Sequence, residues 1–232
     1  MTPDTRAAST ARRAILVGAL DASLEDRRLL THPFYRRWEA GELTTAELAE
    51  YAVHYRAFES VLPEVLATVV DGLEADAEFE AAELVARNLA DELGHPAPHL
   101  ALFDAFAAAL PVVPEAAEPG PAARELADTY RALARRSPVA AIAGLAAYES
   151  QAAAIAATKG DGLRRWYGID ADGTRFWDVH AAMDADHGDW AVDALVRLGA
   201  DADEVAGAAR TAADAWWALL DERQAEAEAV AA

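Results

Sequence analysis

The chain has 232 residues, of which 53% are hydrophobic, so it has enough apolar sequence to bury a sizeable core. Its formal net charge of −20 at pH 7 argues against nucleic acids and anionic membrane surfaces as partners, because both would repel it. The sequence has no cysteine, which excludes disulfides, a thiolate nucleophile and cysteine ligands for zinc.

The N-terminal segment admits two interpretations, a signal peptide or an ordinary first helix. Arg12 and Arg13 precede an apolar run at residues 14–20. That run is short for a signal peptide and leads directly into Asp21, so an amphipathic helix is favoured. Elsewhere, no run approaches the roughly 20 apolar residues of a membrane span. We expect a cytoplasmic protein with a single all-helical domain over residues 1–232.

The composition favours helix, because alanine, leucine, glutamate and arginine dominate the sequence. Valine and isoleucine are scattered, and no stretch alternates apolar and polar residues as a strand would. The sequence therefore predicts an all-α fold. Helices are expected near residues 10–30, 44–70, 74–93, 98–110, 121–136, 138–159, 174–198 and 203–228.

Local signals indicate several helix boundaries. Thr44 and Glu47 form the T-x-x-E pattern of a capping box at the start of the second long helix. Pro63 is expected to kink that helix. Its inward-facing stripe is predicted to consist of Leu48, Tyr51, Ala52, Tyr55, Phe58 and Leu62.

The most apolar helix begins at Ser137 and Pro138, an N-cap followed by proline at the first helical position. Gly160, Asp161 and Gly162 are expected to stop it. The proline-rich connection at residues 111–121 is interpreted as a link between helices, because the same helical composition resumes after it.

Three side chains of metal-binding type share one face of the predicted helix 174–198. His180, Asp184 and His187 are spaced by four and three residues, which places Asp184 about 40° to one side of His180 and His187 about 20° to the other around the helix axis. Imidazole and carboxylate ligands suit iron, manganese or zinc. The alternative is an acidic, solvated helix with incidental histidines, so a metal site requires partners from elsewhere in the chain.

Glu92 and His99 are candidate partners, since they are seven residues apart. Pro96 and Pro98 remove backbone donors and disfavour an unbroken helix between them, so Glu92 is expected near one helix end and His99 in the first turn of the next. Considered alone, the pair is better explained as a helix-end charge and a histidine with satisfied hydrogen bonds than as a metal site. His95 is interpreted as a loop residue.

Glu149 is the one carboxylate in the middle of the apolar helix 138–159. An unpaired buried charge is very costly, so Glu149 either faces water or has a counter-charge such as a metal ion. The same helix ends in Lys159, the only lysine of the chain. A helix C-terminus favours any cation, and this alone would account for its position.

The segment HPFYRRW, from His32 to Trp38, is followed by Gly41-Glu42-Leu43-Thr44. Its aromatic residues are predicted to be core residues of a short helix.

Taken together, these segments resemble the haem-oxygenase-like di-iron oxidases and, among them, the CADD-type para-aminobenzoate synthases. The resemblance covers roughly residues 30–200 and rests on the motifs HPFYRRW…GELT, DELGHPAPH, YES and HAAMDADH. It implies a haem-oxygenase-like (TenA/PqqC-like) bundle of about seven helices around a central metal site. The metal ligands that it implies are Glu92, His99, Glu149, His180, Asp184 and His187.

The resemblance also implies a reaction, since the CADD-type branch is thought to make para-aminobenzoate from one of its own tyrosines and to be consumed. The matching tyrosine is Tyr35 and the matching amino donor is Lys159, with Tyr51 and Tyr148 lining the site. His54 stands where a family member has an acidic residue. A straight helix would place Lys159 about 15 Å beyond Glu149. Either the helix bends, or Lys159 meets the tyrosine and not the metal.

The resulting hypothesis is an oxygen-dependent oxidase with two metal ions, Fe/Fe or Fe/Mn, an external electron donor and a role in folate biosynthesis. A second hypothesis is a multi-turnover oxidase of the same superfamily that cleaves or hydroxylates an external small amine or acid. A third is a non-catalytic helical metal-binding or interaction protein. No nucleic-acid or membrane partner is expected, and a homodimer is compatible with the related folds.

Overall fold

A computed structural model describes residues 3–94, 97–112, 114 and 118–231, and in these residues all regular structure is helical. The predicted all-α class is confirmed. A 3₁₀ turn spans Leu29–Thr31. The α-helices of the described residues are α1 (Pro3–Ser23), α2 (Pro33–Ala40), α3 (Thr45–Glu59), α4 (Leu62–Ala75), α5 (Phe79–Gly94), α6 (His99–Ala109), α7 (Pro121–Arg136), α8 (Pro138–Tyr167), α9 (Ala171–Arg197) and α10 (Ala202–Ala231).

The first predicted helix, residues 10–30, is misplaced, because α1 ends at Ser23 and a separate turn follows. Leu24 and Leu29 are both buried in the core. Residues five apart on a continuous helix point about 140° away from each other, so one helix could not turn both side chains inward. Breaking the helix allows the burial of both leucines.

The predicted helix 44–70 is two helices, α3 and α4, because Pro63 has a stronger effect than a kink. A proline ring clashes with the carbonyl group four residues earlier, which belongs to Glu59, the last residue of α3. Pro63 instead lies in the first turn of α4, where its missing N–H costs nothing. The predicted inward stripe of these helices is confirmed as buried.

Helix α8 does not stop at Gly160–Gly162, as the sequence suggested, but continues to Tyr167 and ends at Gly168, whose φ is +66°. The two glycines allow neighbouring indole side chains to pack closely against the helix. A Cβ at Gly162 would lie 3.0 Å from Trp38 Cδ1, and a Cβ at Gly160 would lie 3.4 Å from Trp177 Cβ. Burial of these large rings offsets the weak helix propensity of glycine.

Helix α8 is the central helix of the bundle and packs against α7, α9 and α10. It is long and apolar enough to cross a membrane, but 67% of its most apolar window is buried against other parts of the chain. Helices α5 and α6 pack on α9 as well. The polar side chains that α8 and α9 direct inward are therefore enclosed by α3, α5 and α6.

Helix α2 places Tyr35 and Trp38 in the core, because both of its ends are fixed locally. The His32 side chain caps the N-terminus by accepting a hydrogen bond from the Phe34 amide, and Pro33 follows at the first helical position. At the other end Gly41 adopts φ +73°, and a Cβ there would lie 2.5 Å from Trp166 Cγ. The predicted short aromatic helix is confirmed.

The capping box at Thr44 and Glu47 is present, since each side chain bonds the backbone of the other residue. We expect Thr44→Ala to lower the free energy of unfolding by about 1 kcal/mol in urea denaturation, because an N3 amide loses its acceptor. Thr68→Ala, in the exposed middle of α4, serves as the matched control and should change stability little or raise it. Equal losses in the two variants would contradict the assigned role of the cap.

Candidate metal centre and the adjoining tyrosine–lysine cluster

Helix α9 directs His180, Asp184 and His187 into the interior, where each side chain is at most 6% exposed. His187 Nδ1 lies 3.5 Å from Asp184 Oδ1, so the carboxylate and the imidazole adjoin each other on the helix face. The sequence-predicted stripe is thus a buried face. It is not the solvated acidic helix of the alternative interpretation.

Glu92 and His99 lie where the prolines between them suggested, in the last turn of α5 and at the first residue of α6. Glu92 Oε2 is 3.0 Å from His99 Nδ1, and both side chains are buried. The His99 and His180 rings are 4.5 Å apart, which joins this pair to the α9 face. His95, predicted to be a loop residue, lies outside the described residues.

Glu149 reaches the same interior region from α8. Its Oε1 accepts a hydrogen bond of 2.6 Å from Asn88 Nδ2, while its Oε2 is buried without a hydrogen-bond partner among the described residues. A Cβ at Gly188 would lie 3.5 Å from the Glu149 backbone, so the absence of a side chain there brings α9 close to α8. Glu149 therefore faces the α9 residues and not water.

A cavity of about 20 Å³ lies between these helices. It is roughly large enough for one water molecule. Five of the six predicted metal ligands line it, and the sixth, His99, adjoins it through Glu92 and His180. The remaining lining residues are five aromatic or aliphatic side chains and one acid: Tyr55, Phe58, Leu62, Leu145, Tyr148 and Glu59.

Glu59 is the acidic residue that the sequence analysis did not identify. It is 2% exposed, and it belongs to a cluster with Glu92, His99 and His180 in which one ligand-type atom from each residue lies within 4.8 Å of the others. The sequence does contain a feature that could have indicated a buried acid, because Glu59 directly follows Phe58, which was predicted to face inward. Without the tertiary structure, nothing distinguished it from the exposed acids nearby.

Two histidines of the site are oriented by hydrogen bonds on the side away from the cavity. His180 Nδ1 donates to the Phe176 carbonyl oxygen at 2.8 Å, which leaves the lone pair on Nε2. His187 Nε2 is 3.1 Å from Asp91 Oδ2, so its Nδ1 is the nitrogen that faces Asp184. Metal-binding histidines commonly have such a carbonyl or carboxylate partner, which fixes the ring and the tautomer.

The electrostatics of the site reflect several acids buried side by side. Burial raises the pKa of Glu149 to about 7, although the charge of His187 and the Asn88 hydrogen bond oppose this rise. Burial alone would lower the pKa of His187, but Asp184 and Glu149 outweigh burial and raise it to about 9. Positive charge at this position therefore stabilises the site, whether an imidazolium or a metal cation carries it.

The donor set fits a pair of first-row transition metal ions. Carboxylate oxygens and imidazole nitrogens are the ligands that non-haem iron and manganese accept. Buried carboxylates need a counter-charge, and Glu59 Oε1 and Glu149 Oε2 have no hydrogen-bond partner among the described residues. The residues available for metal binding are Glu59, Glu92, His99, Glu149, His180, Asp184 and His187.

Lys159 lies in a second polar cluster, next to two tyrosines. Its Nζ donates hydrogen bonds to Tyr35 Oη at 2.9 Å and to Tyr51 Oη at 2.6 Å, and the two hydroxyl oxygens are themselves 2.7 Å apart. Nζ also lies 4.4 Å from the Trp177 ring centroid. Of the two arrangements considered from the sequence, the structure has Lys159 meeting the tyrosines and not the metal-ligand candidates.

Tyr148 and Tyr55 lie between the cavity and this cluster. Both line the cavity, and their hydroxyl oxygens are 2.8 Å apart. The Tyr55 ring is 5.6 Å from the Tyr51 ring, centroid to centroid. Tyr55 was predicted only as a core residue, whereas its position connects the cavity side with the Lys159 side. His54, on the same helix, instead packs against Gly120 at the start of α7.

Burial lowers the pKa of Lys159 well below 10.5, and the nearby charge of Glu59 opposes this only in part. Burial likewise raises the pKa of Tyr35. The structure therefore favours a neutral amine beside a neutral phenol. A neutral amine has the lone pair that a nitrogen nucleophile needs.

The neutral Lys159 predicts an unusual pH dependence of stability. Between its folded-state pKa and 10.5, the unfolded chain binds a proton that the folded chain does not, so stability rises with pH. Relative to Lys159→Met, the wild type should gain as much as about 1.4 kcal/mol per pH unit in that window. Urea denaturation of both proteins at pH 7, 8 and 9 measures the effect. A difference that is independent of pH would contradict the neutral amine.

The sequence is similar to a known protein family and to curated proteins. A family model described as iron-containing redox enzyme matches residues 49–220. A 4-aminobenzoate synthase from Nitrosomonas europaea is 35% identical over 218 residues, which cover 87% of this chain and 88% of the relative.

Two solved structures share the fold. A CADD-like protein of unknown function from Nostoc punctiforme matches with a TM-score of 0.75 at 18% identity, over 92% of this chain and 97% of the other. A domain of unknown function from Shewanella denitrificans, with a haem-oxygenase-like fold, matches with a TM-score of 0.71 at 16% identity, over 92% and 90% of the two chains. The predicted haem-oxygenase-like fold is confirmed, although the described residues contain more helices than expected.

Proposed function

The chain belongs to the family of iron-containing redox enzymes, and on that premise we propose that it is an oxygen-dependent di-metal enzyme that makes 4-aminobenzoate for folate synthesis. The ring of the product would come from Tyr35, and Lys159 would supply the amino nitrogen. The metal pair would be Fe/Fe or Fe/Mn. The 35% identical relative from Nitrosomonas europaea, a 4-aminobenzoate synthase, supports the choice of product.

The observation that carries this proposal is the contact between Lys159 Nζ and Tyr35 Oη, 2.9 Å long and buried on both sides. It brings the only lysine of the chain to the phenol oxygen of a core tyrosine. Burial of a lysine is costly even where tyrosine hydroxyls accept its hydrogen bonds, so a functional role would account for it. A reaction in which nitrogen replaces the phenol oxygen provides that role.

The atoms of the product can be traced to the two side chains. 4-Aminobenzoate is a benzene ring with an amino group opposite a carboxyl group. Tyr35 supplies the ring, with Cβ opposite the phenol oxygen. Conversion forms a C–N bond in place of the C–O bond, whose oxygen leaves as water, and breaks the Lys159 Cε–Nζ bond, which leaves Cε oxidised to an aldehyde. It also breaks the Tyr35 Cα–Cβ bond, with Cα taking up a hydrogen, and oxidises Cβ to a carboxyl carbon. Dioxygen is the oxidant in this proposal, and an external electron donor supplies the reducing equivalents.

The metal ions, when bound, would supply the oxygen activation that this oxidation needs. The residues proposed to hold them are the predicted six, Glu92, His99, Glu149, His180, Asp184 and His187. The Phe176 carbonyl group orients the His180 ring through Nδ1, and the Asp91 carboxylate orients the His187 ring through Nε2. Placement of the ligands and exclusion of water are the contributions of the protein to this chemistry.

The tyrosines between the two clusters have proposed roles in proton and electron movement. Tyr51 hydrogen-bonds both Tyr35 and Lys159, so it can accept or return a proton at either partner. Tyr148 and Tyr55 form a hydrogen-bonded pair that reaches from the cavity wall toward Tyr51. This row of phenols offers a path for oxidation of Tyr35 from the metal side.

The size of the cavity favours an internal substrate. A space of about 20 Å³ is too small for an amino acid or a fatty acid. The multi-turnover alternative, in which an external amine or acid is cleaved or hydroxylated, would need the pocket to widen. The non-catalytic alternative leaves the Lys159–Tyr35 contact without a purpose. A homodimer and a cytoplasmic location stay predictions from the sequence.

Isotope labelling tests the origin of the product. Protein prepared with ring-¹³C tyrosine and ε-¹⁵N lysine is loaded with Fe(II) without oxygen, then exposed to oxygen and a reductant. We expect 4-aminobenzoate that carries both labels, because Tyr35 and the single lysine supply the ring and the nitrogen. Mass spectrometry of the small-molecule fraction and of the protein measures the labels and the loss at residue 35.

Two tyrosine variants complete this experiment. Tyr35→Phe should reduce the product to background. Tyr167→Phe should leave the yield unchanged, since Tyr167 is half-buried and its hydroxyl donates to the Leu43 carbonyl oxygen and not to a residue of either cluster. Unlabelled product, or full yield from Tyr35→Phe, would exclude Tyr35 as the source.

Product stoichiometry separates self-sacrifice from ordinary turnover. If Tyr35 is the source, the yield cannot exceed one product per chain, however much oxygen and reductant are added. Quantifying 4-aminobenzoate against protein over repeated additions measures this limit. A yield well above one per chain would instead support the multi-turnover oxidase.

A further inference from the structure

Glu59 ends α3 at the boundary of the cavity, and its side chain is almost completely buried. The described residues offer no hydrogen-bond partner to its Oε1, which is also shielded from solvent. Its neighbours Tyr55 and Phe58, on the same helix, are buried aromatics that provide no charge to balance a carboxylate. A group in this environment needs a cation or a proton.

The surroundings of Glu59 favour a cation. Together with Glu92, His99 and His180, it forms a four-residue cluster in which the ligand-type atoms lie within 4.8 Å of one another. Two atoms that bind one metal ion at about 2.0–2.2 Å each are at most about 4.4 Å apart, so this spacing is close to that of a metal's ligand shell. Each of the four side chains is buried.

The position of Glu59 at the end of its helix also disfavours an unpaired anion. Glu59 is the last residue of α3, because Pro63 prevents the helix from continuing. A helix C-terminus carries partial negative charge and disfavours another anion. Neither the helix nor the neighbouring acid Glu92 stabilises an anion here. The nearby basic side chain, Lys159, does so only in part, because its own burial disfavours its charged form, whereas a bound metal cation would stabilise the carboxylate.

We propose that Glu59 is a metal ligand, and that it completes one subsite with Glu92, His99 and His180, while Glu149, Asp184 and His187 serve the other. The ion is a divalent first-row metal of the iron or manganese type, which accepts a mixed oxygen and nitrogen set. The inference rests on the metal-binding part of the proposed function and is independent of 4-aminobenzoate formation. It adds a seventh side chain to the six that the sequence predicted.

Metal titration tests this assignment without measuring activity. Metal-free wild type and Glu59→Gln are titrated with Co(II) under anaerobic conditions, and visible absorption bands and calorimetry report each binding event. Wild type should bind two ions. Glu59→Gln should bind one ion with unchanged affinity and the second at least about tenfold more weakly, because an amide is a poorer ligand than a carboxylate.

Two further variants make the comparison specific. Glu64→Gln removes an exposed carboxylate of α4, five residues away, and should bind both ions as the wild type does. Glu59→Asp retains the charge but withdraws it by one methylene group, and should weaken the same binding event. If Glu59→Gln folds poorly, Glu59→Asp provides the same readout.

The thermal stability of the metal-free proteins gives an independent measure. Removing an uncompensated buried carboxylate should leave the Tm of Glu59→Gln equal to or above that of wild type, while Co(II) should raise its Tm less than it raises the wild-type Tm.

The outcomes separate this inference from the proposed function. Two ions bound equally well by Glu59→Gln and wild type would overturn the role of Glu59 and leave the di-metal enzyme intact. A wild type that binds no metal would overturn both. Selective loss of one binding event in Glu59→Gln supports the inference even if no 4-aminobenzoate is ever formed.

Discussion

Burial of ionisable groups is the constraint on which the centre of this molecule depends. Taking a carboxylate or an ammonium out of water costs several kcal/mol unless a partner compensates it. Here the helices supply most partners from the chain itself: Asn88 to Glu149, Asp91 and Asp184 to His187, and tyrosine hydroxyls to Lys159. The carboxylates that stay incompletely satisfied surround one small cavity. Uncompensated negative charge and a space for cations therefore coincide.

Helix α8 holds the metal-ligand candidate Glu149 and the buried Lys159 at two separate positions along its axis. Glu149 faces the cavity, and Lys159, ten residues later, faces Tyr35 and Tyr51. A straight helix keeps such positions about 15 Å apart, which no lysine side chain can span. The phenols of Tyr148, Tyr55 and Tyr51 occupy the interval, and Glu59 is near enough for its charge to raise the pKa of Lys159. The cavity and the tyrosine–lysine cluster are thus linked electrostatically and not by a direct contact between Glu149 and Lys159.

Much of the fold could be predicted from the sequence, because its signals are local. The capping box at Thr44, the proline start of α8 and the helix break between Glu92 and His99 depend on residues within a few positions of each other. The continuation of α8 through Gly160 and Gly162 could not be predicted, because it depends on Trp38 and Trp177, which are distant in sequence. Glu59 was missed for the same reason. An acid at a helix end reveals nothing about its burial until the helices that cover it are known.

The complete burial of Tyr35 has a consequence for the life of the molecule after a single reaction. Its ring fills space between Trp38, Tyr51 and Lys159 in the core. Excising a buried aromatic ring costs a protein about 3–5 kcal/mol, against a total stability of about 5–15 kcal/mol. Under the proposed function, a chain that has reacted would contain a cavity at residue 35 and would be less stable. It would therefore unfold and be degraded sooner than an unreacted chain. Loss of the Tyr35 side chain would then both yield the product and limit the lifetime of the protein that made it.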